Sequence, residues 1–180
     1  MKDGAIKMVK IPVLAVVEGV KGTILELEIE AKKEGRGDLF LDFKLTLDKA
    51  SRQALKTVFS LLHAGTTDIL VRFSGEKDFC LCGGSFALPI YLGMYACVRG
   101  LKVKPGTFST GCINENGEIA SVGELAEKIR VILGKAELLL VPKDQGLPVQ
   151  GIMIKEVSNL HEAVDYALME EKIVIYGTDT

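Results

Sequence analysis

One junction combines residue types that can do chemistry with a spacing that could organise them. Cys82-Gly83-Gly84-Ser85 runs straight into the apolar stretch from Phe86 to Val98. Two glycines ahead of a helix let the backbone come close to a ligand, and the N–H groups of a first helical turn favour negative charge. A serine hydroxyl placed there stands beside a ready oxyanion site, the arrangement acyl transfer requires. The backbone of Gly84, Ser85 and Phe86 supplies the candidate donors. The plainer alternative is that Ser85 caps the helix and the glycines only turn the chain.

As a nucleophile, Ser85 would need a base. The chain has two histidines, His63 at the end of one helical pattern and His161 in the first turn of another, and neither has an obvious acid partner nearby. Attention therefore moves to Lys128, which follows Leu125 by one turn and lies beside Ile129, at the edge of an apolar face. A partly desolvated lysine gives up its charge more readily and becomes a usable base. The alternative is a lysine whose stem covers apolar surface while its head reaches water. Glu124 and Glu127 read as solvated helix charges.

The elements that would hold these groups can be read from periodicity. Residues 9–30 predict two alternating strands joined at Gly19-Val-Lys-Gly22, the second with Glu26, Glu28 and Glu30 on its outer face. Residues 39–45 alternate again, with Phe43 inward. Asp48 is the predicted cap of a helix reaching His63, and residues 68–73 form a short strand. Residues 74–84 read as a loop that turns apolar at Phe79, and Ser85 opens a helix to Arg99 that is apolar nearly all round and so buried. Pro89 is tolerable because it falls near the first turn.

Residues 102–105 read as a connection and 107–113 as a strand, followed by a hairpin turn at Asn114-Glu-Asn-Gly117 and a return at 119–122. A helix over 123–133 places Leu125, Ile129, Ile132 and Leu133 on one face. A strand over 136–141, another within 147–157 and a last helix capped by Ser158 complete the order. Strands paired as hairpins and interspersed with helices predict an α+β fold of mixed α/β layers. Nothing in the pattern splits the 180 residues, so one domain over 1–180 is expected.

Composition narrows the function. Apolar residues make up 48% and charged residues 26%, ordinary globular values. The 22 basic and 24 acidic residues nearly balance, which argues against a nucleic-acid partner. No apolar run has the ~20 residues that cross a bilayer, and no signal peptide is evident, so a cytoplasmic protein without a membrane partner is expected. Cys80, Cys82, Cys97 and Cys112 lack a zinc spacing. They are expected to be reduced, mostly packed thiols, with a redox role left open for Cys80 and Cys82. No metal or cofactor is expected.

Taken together, these motifs resemble the proteolytic domain of the Lon proteases. Cys82-Gly83-Gly84-Ser85-Phe86-Ala87 is similar to that family's Gly-Pro-Ser-Ala-Gly nucleophile motif, and Phe108-Ser109-Thr110-Gly111-Cys112-Ile113 to its Met-Thr-Gly-Glu-Ile strand. Gly117 to Lys128 resembles its Gly-x-Val-Leu-Pro-Ile-Gly-Gly-Leu-Lys-Glu-Lys stretch, and the three stand in register without a gap. The resemblance covers residues 79–169; over 1–78 only the order of strands, helix and strand agrees.

It implies a Ser85–Lys128 dyad cleaving polypeptides, with Thr110 aiming the lysine and with assembly into a homo-oligomer, a ring of six in the family. The departures are Gly84 for proline, Phe86-Ala87 for Ala-Gly, Ala126 for a lysine, Glu124 for the second glycine, and Cys82 where an acidic residue is frequent. They keep the family's substrate preference from carrying over. No Gly-x-x-x-x-Gly-Lys-Ser/Thr occurs, so no ATPase is encoded here. That leaves a stand-alone peptidase, a partner ATPase acting in trans, or an excised fragment; Met1 and the completed last helix favour a whole small protein over a fragment. The competing reading is a catalytically silent Lon-like domain serving as an oligomerisation or binding scaffold.

Overall fold

A computed structural model describes residues 7–17, 21–42 and 44–171. The predicted turn at Gly19 and Val20, and Phe43, lie outside the described residues. The chain begins with the long strands β1 (Lys7–Val17) and β2 (Lys21–Lys32), paired antiparallel. The alternation in β2 works as read: Leu25, Leu27, Ile29 and Ala31 are buried. On the outer face, Lys10 reaches Glu26 and Glu28 at 3.4 and 3.5 Å, and Arg72 reaches Glu30 at 3.0 Å.

The single strand expected over 39–45 is two. β3 (Leu39–Leu41) and β4 (Leu45–Leu47) join different sheets, because the chain bends at Asp42, whose N–H donates to the Val71 carbonyl and whose carbonyl accepts from Leu45. Helix α1 (Lys49–Leu62) starts at Asp48, whose carboxylate accepts the Ser51 N–H at 2.7 Å. It buries Leu55, Val58 and Leu62. Strand β5 (Asp68–Phe73) matches its expected bounds. The first sheet has the order β1-β2-β5-β3, antiparallel except for β5 with β3.

The segment read as a loop contains β6 (Phe79–Leu81), which pairs parallel with β4. Helix α2 (Ala87–Arg99) begins two residues later than expected, and ten of its 13 residues are buried. Pro89 is its third residue, where the helix has no N–H partner to lose.

The residues after α2 hold a strand where a connection was expected. β7 (Leu101–Val103) pairs with β13 (Leu168–Glu170) from the other end of the described chain. The strand expected over 107–113 is broken into β8 (Thr107–Ser109) and β9 (Cys112–Ile113), the latter in a hairpin with β10 (Ile119–Ala120). The break falls at Thr110-Gly111: the Thr110 N–H still donates to the Leu140 carbonyl of the neighbouring strand, but the Gly111 N–H turns to the Ser85 carbonyl.

Helix α3 (Leu125–Ile132) is shorter than its pattern, and Leu133, expected on its buried face, is half exposed as the residue that ends it. Strands β11 (Leu138–Pro142) and β12 (Met153–Val157) form a parallel sheet ordered β12-β11-β8. Helix α4 (Leu160–Ala167) is capped by Asn159, not Ser158. The Asn159 side chain accepts from Glu162 N, and the Glu162 carboxylate returns to the Ser158 N–H at 2.7 Å, so serine supplies only a backbone donor. The fold is α+β, as expected.

Two apolar clusters cover opposite faces of the β1–β2 hairpin. Ile11, Val13, Leu27 and Ile29 pack with α2 on one face; Leu14 and Ile24 pack with Ile129, Ile132 and Val131 of the α3 region on the other. β1 is thus buried on both sides at residues 13 and 14, which an alternating pattern does not anticipate. The hairpin meets α3 closely at Gly22, where a Cβ would collide with the Glu127 carbonyl. Gly22→Ala must push α3 off the sheet. It is expected to lower stability by about 1–3 kcal/mol, the usual cost of overpacking, read from the denaturant midpoint.

Candidate active site

Three elements converge on one buried amine. α3 carries Lys128, the break after β8 carries Thr110, and the turn before α2 carries Ser85. Lys128 Nζ lies 3.0 Å from Ser85 Oγ and 3.2 Å from Thr110 Oγ1. Lys128 is only 4% exposed and Thr110 is fully buried. The lysine was expected at the edge of an apolar face; the structure places it inside, its head between two hydroxyls.

No carboxylate forms an ion pair with Lys128 among the described residues. Burial therefore pushes its pKa below the ordinary lysine value, while Cys112 and Glu124 push back upward. A buried cation without a counter-charge is costly, and losing the proton relieves the cost.

Ser85 does not cap its helix. Phe86 holds the cap position, with no side-chain cap bond. The Ser85 carbonyl is fixed instead by the Gly111 N–H at 3.0 Å and by Thr110 Oγ1 at 3.4 Å. Leu88 N–H returns to the Gly111 carbonyl at 3.1 Å, so turn and strand break are tied in both directions. A Cβ on Gly111 would stand 2.8 Å from Ile119 and 3.2 Å from Leu88, which explains a glycine at this close approach. Gly83 has φ +78, a left-handed conformation that favours glycine, whereas a Cβ on Gly84 would meet only ordinary contacts.

Two positioning residues were not singled out as such by the pattern. Ser51 Oγ, buried in the first turn of α1, lies 2.7 Å from the Leu81 carbonyl and 2.8 Å from the Gly83 carbonyl. Asp48, read only as a cap, also accepts the Gly83 N–H at 3.3 Å with its second oxygen. Both hold the glycine turn against α1. The signal was there in Asp48-x-x-Ser51, but a cap alone explains that pattern.

The serine opens onto a cleft of about 360 Å³, walled by Leu14, Ala15 and Val16 of β1, by residues 79–82, and by Phe86, Glu124 and Lys128. A larger, shallow hollow of about 560 Å³ between residues 146–150 and β12 contains no nucleophile. The N–H groups of Ser85 and Phe86 donate to no backbone carbonyl among the described turn and loop bonds, and Ala87 N–H donates to the Gly84 carbonyl. His63 is exposed at the end of α1, and His161 faces Asp165 at 3.5 Å on the surface. Neither is bonded to the serine.

The cysteines are less packed than expected. Cys97 is buried, its thiol pushed up to about 11 by desolvation, and Cys112 is half-buried beside Gly84. Cys80 and Cys82 are exposed, because Cys80 points outward between inward-facing Phe79 and Leu81. Their sulfurs are 3.7 Å apart. Among the described residues no group of three or more His, Cys, Asp or Glu could hold a metal ion, and no helix is long and apolar enough to cross a membrane.

No known family model matches this chain, and no curated protein matches it.

The Asp48 carboxyl is held below the usual aspartate range, chiefly by the Ser51 N–H. Its folded pKa is depressed, so its contribution to stability is present above about 3.9, the value of an unstructured aspartate. That contribution is lost as pH falls through the lower folded value. Asp48→Asn keeps an acceptor for Ser51 but removes the charge. Its stability deficit relative to wild type should narrow below about pH 4, in urea titrations run from pH 7 to pH 3.

Proposed function

We propose that this chain is a serine peptidase of the Lon proteolytic-domain kind, using Ser85 as nucleophile and Lys128 as general base on extended polypeptides. The observation that carries this reading is the 3.0 Å approach of a buried lysine, free of any carboxylate partner, to a serine hydroxyl at the floor of an open cleft.

With Lys128 neutral, the polar contacts fall into one consistent direction. Ser85 O–H donates to the Nζ lone pair, Nζ–H donates to Thr110 Oγ1, and Thr110 O–H donates to the Ser85 carbonyl. As Oγ bonds to the peptide carbonyl carbon, its proton passes to Nζ. The carbonyl oxygen becomes an oxyanion, for which the Ser85 and Phe86 N–H groups, flanked by Gly84, are the donors. When the C–N bond breaks, Lys128 returns that proton to the leaving amine. Water then attacks the ester with Lys128 again taking a proton, and the ester C–O bond breaks as Ser85 is reprotonated. Thr110 is a positioning residue in this scheme, since it orients the amine without touching substrate.

Casein cleavage without ATP tests this directly. Ser85→Ala and Lys128→Ala should each lower the rate at least 10³-fold, since members of such a unit fail together. Full activity in Ser85→Ala would overturn the proposal, as would failure of Ser85 to react with a peptide boronate. Thr110→Val should cost about 10–10²-fold through misplacement of the base, and Thr110→Ser should restore most of it. Because the base must be neutral, kcat/KM should rise with pH through a Lys128 pKa below 10.5. Glu124 holds that pKa up, so Glu124→Gln should move the limb to lower pH.

A further inference from the structure

Glu124 lines the cleft but takes no bonding part in the proposed mechanism, where it only raises the Lys128 pKa. It lines the hollow with Ser85 and Lys128 and supplies the only carboxylate among the lining residues. The other lining side chains are apolar, apart from Ser85, Lys128 and the exposed thiols of Cys80 and Cys82, and as much of the lining surface is polar as apolar. Glu127, one turn along the same helix, is engaged with Arg130 at 3.0 Å. Glu124 has no ion-pair partner among the described residues and is exposed.

Nor does its side chain serve the fold. It occupies the cap position of α3 but makes no cap bond, and Lys128 N–H takes its backbone carbonyl, which any residue would provide. Its backbone is left-handed, φ 56 and ψ 34, a conformation that a side chain makes unfavourable and that glycine adopts freely. A non-glycine residue held in this region beside a reactive pair marks strain retained at a site. A cleft of mixed apolar and polar walls with one carboxylate lining it beside Ser85 and Lys128 favours a polypeptide that carries a positive charge at one point.

We propose that Glu124 determines specificity, binding a lysine or arginine side chain of the polypeptide close to the bond that faces Ser85. The inference rests on the peptidase reading for its orientation relative to the bond cut, but the binding itself needs no turnover. A protonated amine or guanidinium within reach of the carboxylate forms a charge-assisted hydrogen bond, and guanidinium can form two. At this exposed position the gain is modest and depends on salt.

The test uses the full chain carrying Ser85→Ala, so that nothing is cut, and fluorescein-labelled eight-residue peptides of alternating alanine and leucine with two interior lysines, or with glutamine or glutamate in their place. Fluorescence anisotropy should show the lysine peptide binding about fivefold tighter than the glutamine peptide, with the glutamate peptide weakest. Adding Glu124→Gln should abolish the difference, and Glu124→Asp should keep part of it. Raising NaCl from 50 to 500 mM should shrink the preference. Equal binding of lysine and glutamine peptides, a preference that survives Glu124→Gln, or no binding of any peptide would overturn the inference. If the preference holds but the wild-type chain cuts nothing, the peptidase reading fails alone. If casein is cut with no enrichment of basic residues beside the cleavage sites, the specificity inference fails alone.

Discussion

Everything around the site depends on one constraint, an amine buried without a counter-charge. Lys128 reaches the interior from α3, where its head lies between two hydroxyls and pairs with no carboxylate among the described residues. Burial removes most of its hydration, so the charged form is disfavoured and the neutral form can serve as both donor and acceptor. A glutamate or aspartate placed against Nζ would remove that tension and the basicity with it. The arrangement therefore needs Thr110 and Ser85 held as uncharged partners at fixed distances.

Those distances are set by backbone as much as by side chains. α3 is seated on the β1–β2 hairpin through the apolar cluster of Leu14, Ile129 and Ile132 and through the close approach at Gly22. The serine turn is tied to the strand break by bonds running both ways between residues 85–88 and 110–111. It is tied to α1 through Ser51 and Asp48. A side chain on a turn is placed with the accuracy of helices and strands only when the turn is anchored at both ends, as Ser85 is here. α2, buried along nearly its whole length, is the rigid body behind it.

Under the function proposed above, the cleft separates two kinds of recognition. Walls from β1 and β6 would offer contact area without charge selectivity along a bound polypeptide. The single carboxylate of Glu124, standing on a left-handed residue, adds a point of charge where the reacting atoms lie. It also acts on Lys128 in the opposite direction to burial. One residue thus bears on both the choice of ligand and the protonation of the base.

The α+β class, helix α1 with its Asp48 cap, strand β5, and the pairing of Ser85, Thr110 and Lys128 were all legible in the chain. Local periodicity and capping are short-range properties, whereas the grouping of Ser85, Thr110 and Lys128 was expected from the resemblance of three motifs to a known family. Other features were decided only in three dimensions. β6 and β7 hide in segments that look like loops because each finds its partner far away, in β4 and β13. Residues 39–47 break at the turn that the Leu45 N–H closes on the Asp42 carbonyl, and residues 107–113 break where the Gly111 N–H turns to the Ser85 carbonyl. The depth of Lys128 also belongs to tertiary structure, since an amphipathic pattern places a lysine at the rim of a face and cannot say whether another layer closes over it. Ser85 was open to two readings for the same reason: a serine before a helix looks like a cap until packing shows where its hydroxyl points.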